Sequence, residues 1–366
     1  MSSIWGDYLK ISLFGESHGP AIGLVINGLP AGVEIDEEYI NLELARRAPG
    51  KSLLTTSRQE KDEFEIISGV FQNHTTGAPL CFLIRNKDKH SQDYEELKDI
   101  PRPGHADYTA GVKYFGFNDY RGGGMFSGRL TAPLVLAGAI AKKILSGQGV
   151  TIGSHILSIA EVREEAFDSP SLSPDVLLGL NALDFPVLNE EKGILMQKKI
   201  LEAREEQDSV GGVVETAVLG IKAGLGAPFF DSVESKLAHL LFSIPGVKGV
   251  EFGDGFSLSQ MKGSQANDSF RWQEGRVVTD TNHCGGIQGG ITNGMPITFK
   301  TAFKPTPSIG RAQKSVNLAT KQEVELKIKG RHDPCIVVRA VPVVEAAAAL
   351  ALLDLLMEKE SGSWLV

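Results

Sequence analysis

Apolar positions in this chain fall into short alternating runs and longer helical periods. Residues 21–28 (AIGLVING), 79–85 (PLCFLIR) and 211–221 (GGVVETAVLGI) read as strands. Residues 36–47 (DEEYINLELARR) read as a helix that Asp36 can cap. The stretch 131–145 (TAPLVLAGAIAKKIL) predicts a helix capped by Thr131, with Pro133 in the first turn, where its missing N–H costs nothing. Being apolar almost all round, that helix belongs inside the protein. Residues 191–207 read as an exposed, charged helix. Asp231 to Glu234 open a capping-box helix that runs through about Phe242, and 345–358 form a last helix.

Two stretches echo each other. Residues 23–47 run strand, GLPAG, acid-capped helix; residues 212–242 run strand, GLGAP, acid-capped helix. A two-fold pseudo-repeat is one reading of this. The mixture is α/β or α+β, and since no βαβ unit carries a GxGxxG turn, a Rossmann domain is not expected. No long linker or low-complexity tract interrupts the 366 residues.

Composition narrows the function. The net charge of −8 speaks against a non-specific nucleic-acid binder. An anionic small ligand is compatible with that charge only where arginines are gathered locally. Three separated cysteines (Cys81, Cys284, Cys335) suit neither a zinc site nor a disulfide framework, so a reducing cytoplasm is the expected compartment. No run of 18 or more apolar residues predicts a membrane span, and the first residues do not read as a secretory signal. The 41 glycines cluster where backbone must come close to something.

Those glycine stretches carry the chemistry. In FGESHGP, Ser17 and His18 lie between Gly15 and Gly19. Such a histidine is either a solvated turn residue or a proton carrier. In RPGHADYTA, with Pro101 just before it, prolines stiffen the backbone around Arg102 and His105. That loop is either a surface turn or a rigid pairing of cation and imidazole for an anionic substrate. RGGGMFSGRLTAP places Arg121 and Arg129 around a glycine triplet and Ser127, then enters the apolar helix. Free N–H groups, the positive helix end and two guanidiniums make an anion site there; a loop chosen for close packing is the alternative. In KGRHDPCIVVRAVP, Arg331, His332 and Asp333 precede a proline and then a strand. An Asp beside an Arg stays ionised and can accept a proton, and a strand-entry salt bridge is the alternative. KPTPS (304–308) offers phosphate ligands, and the five glycines of NHCGGIQGGITNGMP let backbone lie against a flat ring. His283 in that stretch reads as a turn residue. No metal site is expected, because no histidine shows HxH or HExxH spacing, and GxSxG is missing for a serine hydrolase.

The set FGESHG, RPGHADYT, DYRGGG…SGR, NHCGGIQGG, KPTPS and GRHDP, in this order over nearly the whole chain, resembles the chorismate synthase family. SGVFQNHTTGAPL and VKGVEFGDGF also look like that family. The resemblance implies one catalytic domain over residues 1–366 and an α+β fold, a β-α-β sandwich distinct from the Rossmann fold, assembled as a homotetramer. It implies a lyase that converts 5-enolpyruvylshikimate 3-phosphate to chorismate and phosphate by 1,4-anti elimination, using reduced FMN without net redox change. His18, beside Ser17, would give a proton to the leaving phosphate; His105 would act on the reduced flavin, and Asp333 would relay a proton. FMN contacts would fall on Met125, Phe126, Ser127, Pro245, Gly246, Gly289, Lys304, Pro305, Thr306, Pro307, Ser308 and Arg331. Substrate anions would fall on Ser17, Arg47, Arg102, Arg121 and Arg129. Two departures stand out: Met125 occupies a position that is often arginine, and Leu53 one that is often basic, with Lys51 and Arg58 as nearby replacements.

Flavin reduction by NADPH, on this chain or by a separate flavin reductase, is left open; the compact length favours the reductase. Two other readings compete. A flavin oxidoreductase with a redox product lacks its nicotinamide fingerprint. A non-catalytic anion-binding protein has a use for the arginines but none for His18, His105 and Asp333 together.

Overall fold

The computed structural model describes residues 3–50, 54–55, 62–87, 98–328 and 332–362. Strands β1 (Ile4–Trp5), β2 (Lys10–Gly15), β3 (Ala21–Asn27), β4 (Phe64–Ser68) and β5 (Leu80–Arg85) form an antiparallel sheet in the order β1-β2-β3-β5-β4. Strict alternation sets its faces: Leu80, Phe82 and Ile84 are buried while Cys81, Leu83 and Arg85 face away. Strands β6 (Thr151–Ile159), β7 (Val162–Arg163), β8 (Gly212–Leu219), β9 (Val247–Phe252) and β10 (Ile297–Phe303) form a second antiparallel sheet, ordered β9-β10-β8-β6-β7. The longer helices are α1 (Glu37–Arg47), α2 (Asp107–Lys113), α3 (Thr131–Gly147), α4 (Pro174–Asn181), α5 (Glu190–Glu205), α6 (Val233–Ser243) and α7 (Val337–Gly362).

The sequence echo is a repeat of topology. The order β2-β3-β5-β4 matches β6-β8-β10-β9 strand for strand. Helix α1 follows β3 as α6 follows β8, and α3 comes after β5 as α7 comes after β10. The second half differs by the insertion of α4 and α5, of which α4 covers the outer face of β6.

Helices fill the space between the sheets. Helix α3 packs on β2 and β3, α7 packs on β6 and β8, and α3 and α7 pack on each other. Their approach is close because Gly138 has no side chain: a Cβ there would lie 2.2 Å from that of Ala346. Helix α1 flanks α3 as α6 flanks α7, which completes a β-α-β sandwich with a core drawn from both halves. A buried ion cluster ties three helices together. Glu345 on α7 accepts from Arg46 on α1 at 2.6 Å and from Lys142 on α3 at 2.8 Å, and Lys142 also reaches Glu43 at 3.0 Å. Such a cluster fixes relative placement more than it adds stability.

Several expectations need correction. Thr131 does not cap α3; its hydroxyl donates to the Gly128 carbonyl at 2.6 Å, and Ser127 caps the short turn before it. Ser232, not Asp231, caps α6, accepting from the Ser235 N–H at 3.1 Å. Helix α5 is not exposed all round, since Gly193, Met196, Ile200 and Ala203 are buried. The strand expected after Pro334 is helix: α7 begins at Val337, well before residue 345, and carries Pro342 inside it. By length and composition alone, Gly128–Gly147 and Val337–Ser361 would suit a bilayer. Their most apolar windows are 67% and 89% buried within the protein, which makes them core helices.

Candidate active site

Both halves of the repeat contribute to one cavity of about 660 Å³. It lies at one end of the helical layer, where Arg47 ends α1, Phe242 and Ser243 end α6, Thr131 starts α3, and Ile336 and Arg339 stand at the start of α7. The positive ends of α3 and α7 and the negative ends of α1 and α6 therefore reach the same space, so the helix dipoles oppose one another there and side chains decide the charge. His18, His105 and Asp333 line it together with Arg47, Arg102 and Arg129, the 125–127 segment, Pro245, Gly246 and all of 304–308. Most of the residues singled out in the sequence thus meet in one place.

Three of the described ones do not line it. Ser17 is buried beside His18, behind the wall. Arg121 is turned away and ion-paired with Asp119 at 2.8 Å. Gly289 sits in the exposed turn of the hairpin formed by Ile287–Gln288 and Ile291–Thr292, next to the start of α6. Arg331 lies outside the described residues, as do Lys51, Leu53 and Arg58.

The glycine triplet is built for contact with imidazoles. Gly122 has φ +59°, and a Cβ on it would come 2.2 Å from Cδ2 of His18. A Cβ on Gly123 would lie 3.2 Å from both Cε1 and Nε2 of His105. The triplet therefore passes between the two rings, a path open only to residues without side chains. Within the triplet, the Gly123 N–H donates to the Tyr120 carbonyl at 3.3 Å, and just beyond it the Ser127 N–H donates to the Gly124 carbonyl at 3.5 Å. Cationic side chains lining the cavity supply positive charge beside the triplet.

That charge is concentrated. Arg47, Arg102, Arg129, Lys248, Lys304 and Arg339 line the cavity against one lining carboxylate, Asp333, among the described residues. Behind the wall, carboxylates hold the guanidiniums in place. Asp62 is fully buried and accepts from Arg47 through one oxygen and from Arg129 through the other. Burial would raise the Asp62 carboxyl, but the fields of Arg47 and Arg129 outweigh it and hold it below the usual range. Asp107 accepts from Arg102 Nε at 2.7 Å and from His105 Nδ1 at 2.7 Å. The Asp107 contact is shorter than the 3.1 Å approach of the Arg102 guanidinium to the same nitrogen, which assigns the proton to Nδ1 of His105 and leaves Nε2 on the side of the triplet. Burial would again raise the Asp107 carboxyl, and Arg102 with His105 pull it well down instead.

Asp333 is paired with Arg339 at 2.7 Å, and Arg339 Nε donates to the Arg47 carbonyl at 3.1 Å. Lys304 donates to the Gly104 carbonyl, and Arg102 donates to Ser308 Oγ at 3.2 Å, so the RPGH and KPTPS loops interlock. Burial, then the neighbouring Lys248, lowers the ammonium of Lys304. Asp62, Asp107, Lys248 and Arg339 are the residues that motif reading missed. Asp107 was within reach as the last letter of RPGHAD; Asp62 and Arg339 sit in unremarkable contexts and become visible only in three dimensions.

Comparison with known proteins places the chain in a family. A family model described as chorismate synthase matches residues 9–357. The chorismate synthase of Thermococcus kodakarensis is 46% identical over 362 residues, covering 99% of both chains. That of Korarchaeum cryptofilum is 47% identical over 360 residues, 98% of this chain and 99% of its own. A crystal structure of chorismate synthase aligns with a TM-score of 0.75 at 33% identity, over 97% of this chain and 93% of that one. With likeness in sequence and fold running over nearly its full length, the chain belongs to the chorismate synthase family, lyases that release phosphate from 5-enolpyruvylshikimate 3-phosphate to give chorismate.

Proposed function

We propose that this cavity binds the substrate together with reduced FMN and that His18, His105 and Asp333 handle its protons. The observation that carries the reading is their convergence with Arg47, Arg102 and Arg129 in one space. Its volume lies within the range of small-molecule sites. The wall fits a flavin: Phe126, Ile244, Val247, Phe303 and Ile336 offer apolar surface to a flat ring. Thr306 presents a buried hydroxyl oxygen without a hydrogen-bond partner, and Lys304 and Ser308 stand beside it in sequence for a phosphate. When bound, reduced FMN would lend electron density to the reacting ring, with no net oxidation.

The chain's own residues do the rest. Arg47, Arg102 and Arg129 are preorganised by Asp62 and Asp107, so they clamp phosphate and carboxylates with little rearrangement. His18 holds a proton on its ring for the departing phosphate oxygen. His105 presents Nε2 with its tautomer set by Asp107. Asp333, held by Arg339, accepts a proton from the reacting centre. Met125 keeps only backbone donors for the cofactor. The whole chain reads as one catalytic unit, because both halves supply wall residues.

The same reading makes the protein a cytoplasmic homotetramer served by a separate flavin reductase, not by its own use of NADPH. Exposed Phe229 and Phe230 and the outlying Gly289 suit a surface covered by other copies. The decisive experiment is an anaerobic assay with FMN and dithionite. Conversion of the substrate to chorismate is expected, and no turnover would refute the reading. Stoichiometric NADPH oxidation coupled to product would replace it with a redox enzyme.

A further inference from the structure

Asn86 follows β5 directly and belongs to none of the motifs above, yet its side chain joins two parts of the site. Its amide nitrogen donates to the carbonyls of Glu16 and Gly19, each at 3.0 Å. These two residues bracket Ser17 and His18. Its Oδ1 accepts from Arg129 Nε at 3.2 Å. The amide orientation is dictated by its partners, since carbonyls only accept and a guanidinium only donates; the flipped amide would satisfy neither. The backbone N–H of Asn86 also donates to the Pro20 carbonyl at 3.2 Å.

We infer that Asn86 is a positioning residue that locks the His18 loop to the Arg129 guanidinium, so that proton donor and anion clamp hold one fixed separation. The inference rests on the roles given to His18 and Arg129 above. Without the amide, the loop retains the Ser17 N–H bond to the Gly124 carbonyl at 3.2 Å and its internal Gly19-to-Glu16 bond at 3.0 Å. Arg129 retains Asp62. Substrate binding is then largely kept, while the imidazole loses its fixed distance from the clamped anion. Misplacement of about 1 Å in such a group costs up to roughly 10²-fold in rate.

The test is a double-mutant cycle of Asn86→Ala with His18→Ala, combined with amide hydrogen exchange on the protein without cofactor. Asn86→Ala is expected to lower kcat by about 30- to 100-fold while KM stays within about 3-fold. In the His18→Ala background the same change should cost no more than about 3-fold, because the group it positions is gone. Asn86→Asp should fail to rescue kcat, as its oxygens face two carbonyls. Exchange at the Ser17 and Gly19 amides should quicken about 10-fold, with β3 and β5 unaffected. Losses that multiply in the double variant would overturn the inference, as would exchange rising evenly through β3 and β5. If His18→Ala alone left turnover intact, the role of His18 would fall, and the inference with it; that outcome is distinct from a multiplicative cycle.

Discussion

Oδ1 of Asp107 lies 2.7 Å from Nδ1 of His105, and the same carboxylate grips Arg102 through both oxygens. One half-buried anion thereby sets both the tautomer of an imidazole and the direction of a guanidinium. Asp107→Asn should lower turnover by about 10²-fold, a typical share for an acid–base group, with circular dichroism unchanged.

The same carboxylate predicts a pH effect. Burial pushes the Asp107 carboxyl up, but Arg102 and His105 depress it well below the ordinary value of about 3.9. Below that ordinary value the unfolded chain takes up the proton before the folded one does, which favours unfolding. Its stabilisation is therefore complete above about pH 4 and lost as pH falls through the depressed value. Urea unfolding across pH 2–6, an approximate window set by these values, should show a shallower acid decline for Asp107→Asn.

Asp62 separates two guanidiniums that would otherwise face each other in a buried space. Asp62→Ala should cost about 3–5 kcal/mol, the usual penalty for stranding a buried charge, and a shifted denaturation midpoint would measure it. A loss under about 1 kcal/mol would mean that water reaches the arginines.

Two glycines predict different kinds of damage. Gly122→Ala places a methyl group against the His18 ring at a positive φ, so turnover should drop at least about 10-fold through misplacement, and stability should fall by about 1–2 kcal/mol from the backbone alone. Gly138→Ala drives a methyl group into Ala346 at the core, where overpacking costs about 1–3 kcal/mol in equilibrium unfolding.

His18→Ala and His105→Ala should each reduce turnover by about 10²–10⁴-fold while thermal stability falls far less. Equal loss of folding in both variants would reduce the histidines to structural residues.

Much of this was legible along the chain, for identifiable reasons. Strand β5 announces itself through Leu80, Phe82 and Ile84 at period two, and α1 through its Asp36 cap. The candidate site was legible to the extent that the loops rich in glycine, proline, histidine and arginine converge on one cavity. The start of α7 was not. Residues 336–344 (IVVRAVPVV) are β-branched and interrupted by proline, a strand-like signature; burial between two sheets overrides that local preference. Asp62 and Asn86 were invisible because their importance lies in partners such as Arg129, dozens of positions away.

The contact between Gly138 and Ala346 has a reach beyond its own size. Cavity wall from the first half of the chain includes the ends of α1 and α3, and wall from the second half the ends of α6 and α7. A slip of α3 past α7 by one helical turn would move His18 and His105 relative to Asp333 by about 5.4 Å. Neither small residue reaches the cavity, yet their fit acts as the gauge block that keeps two mirrored workpieces in register.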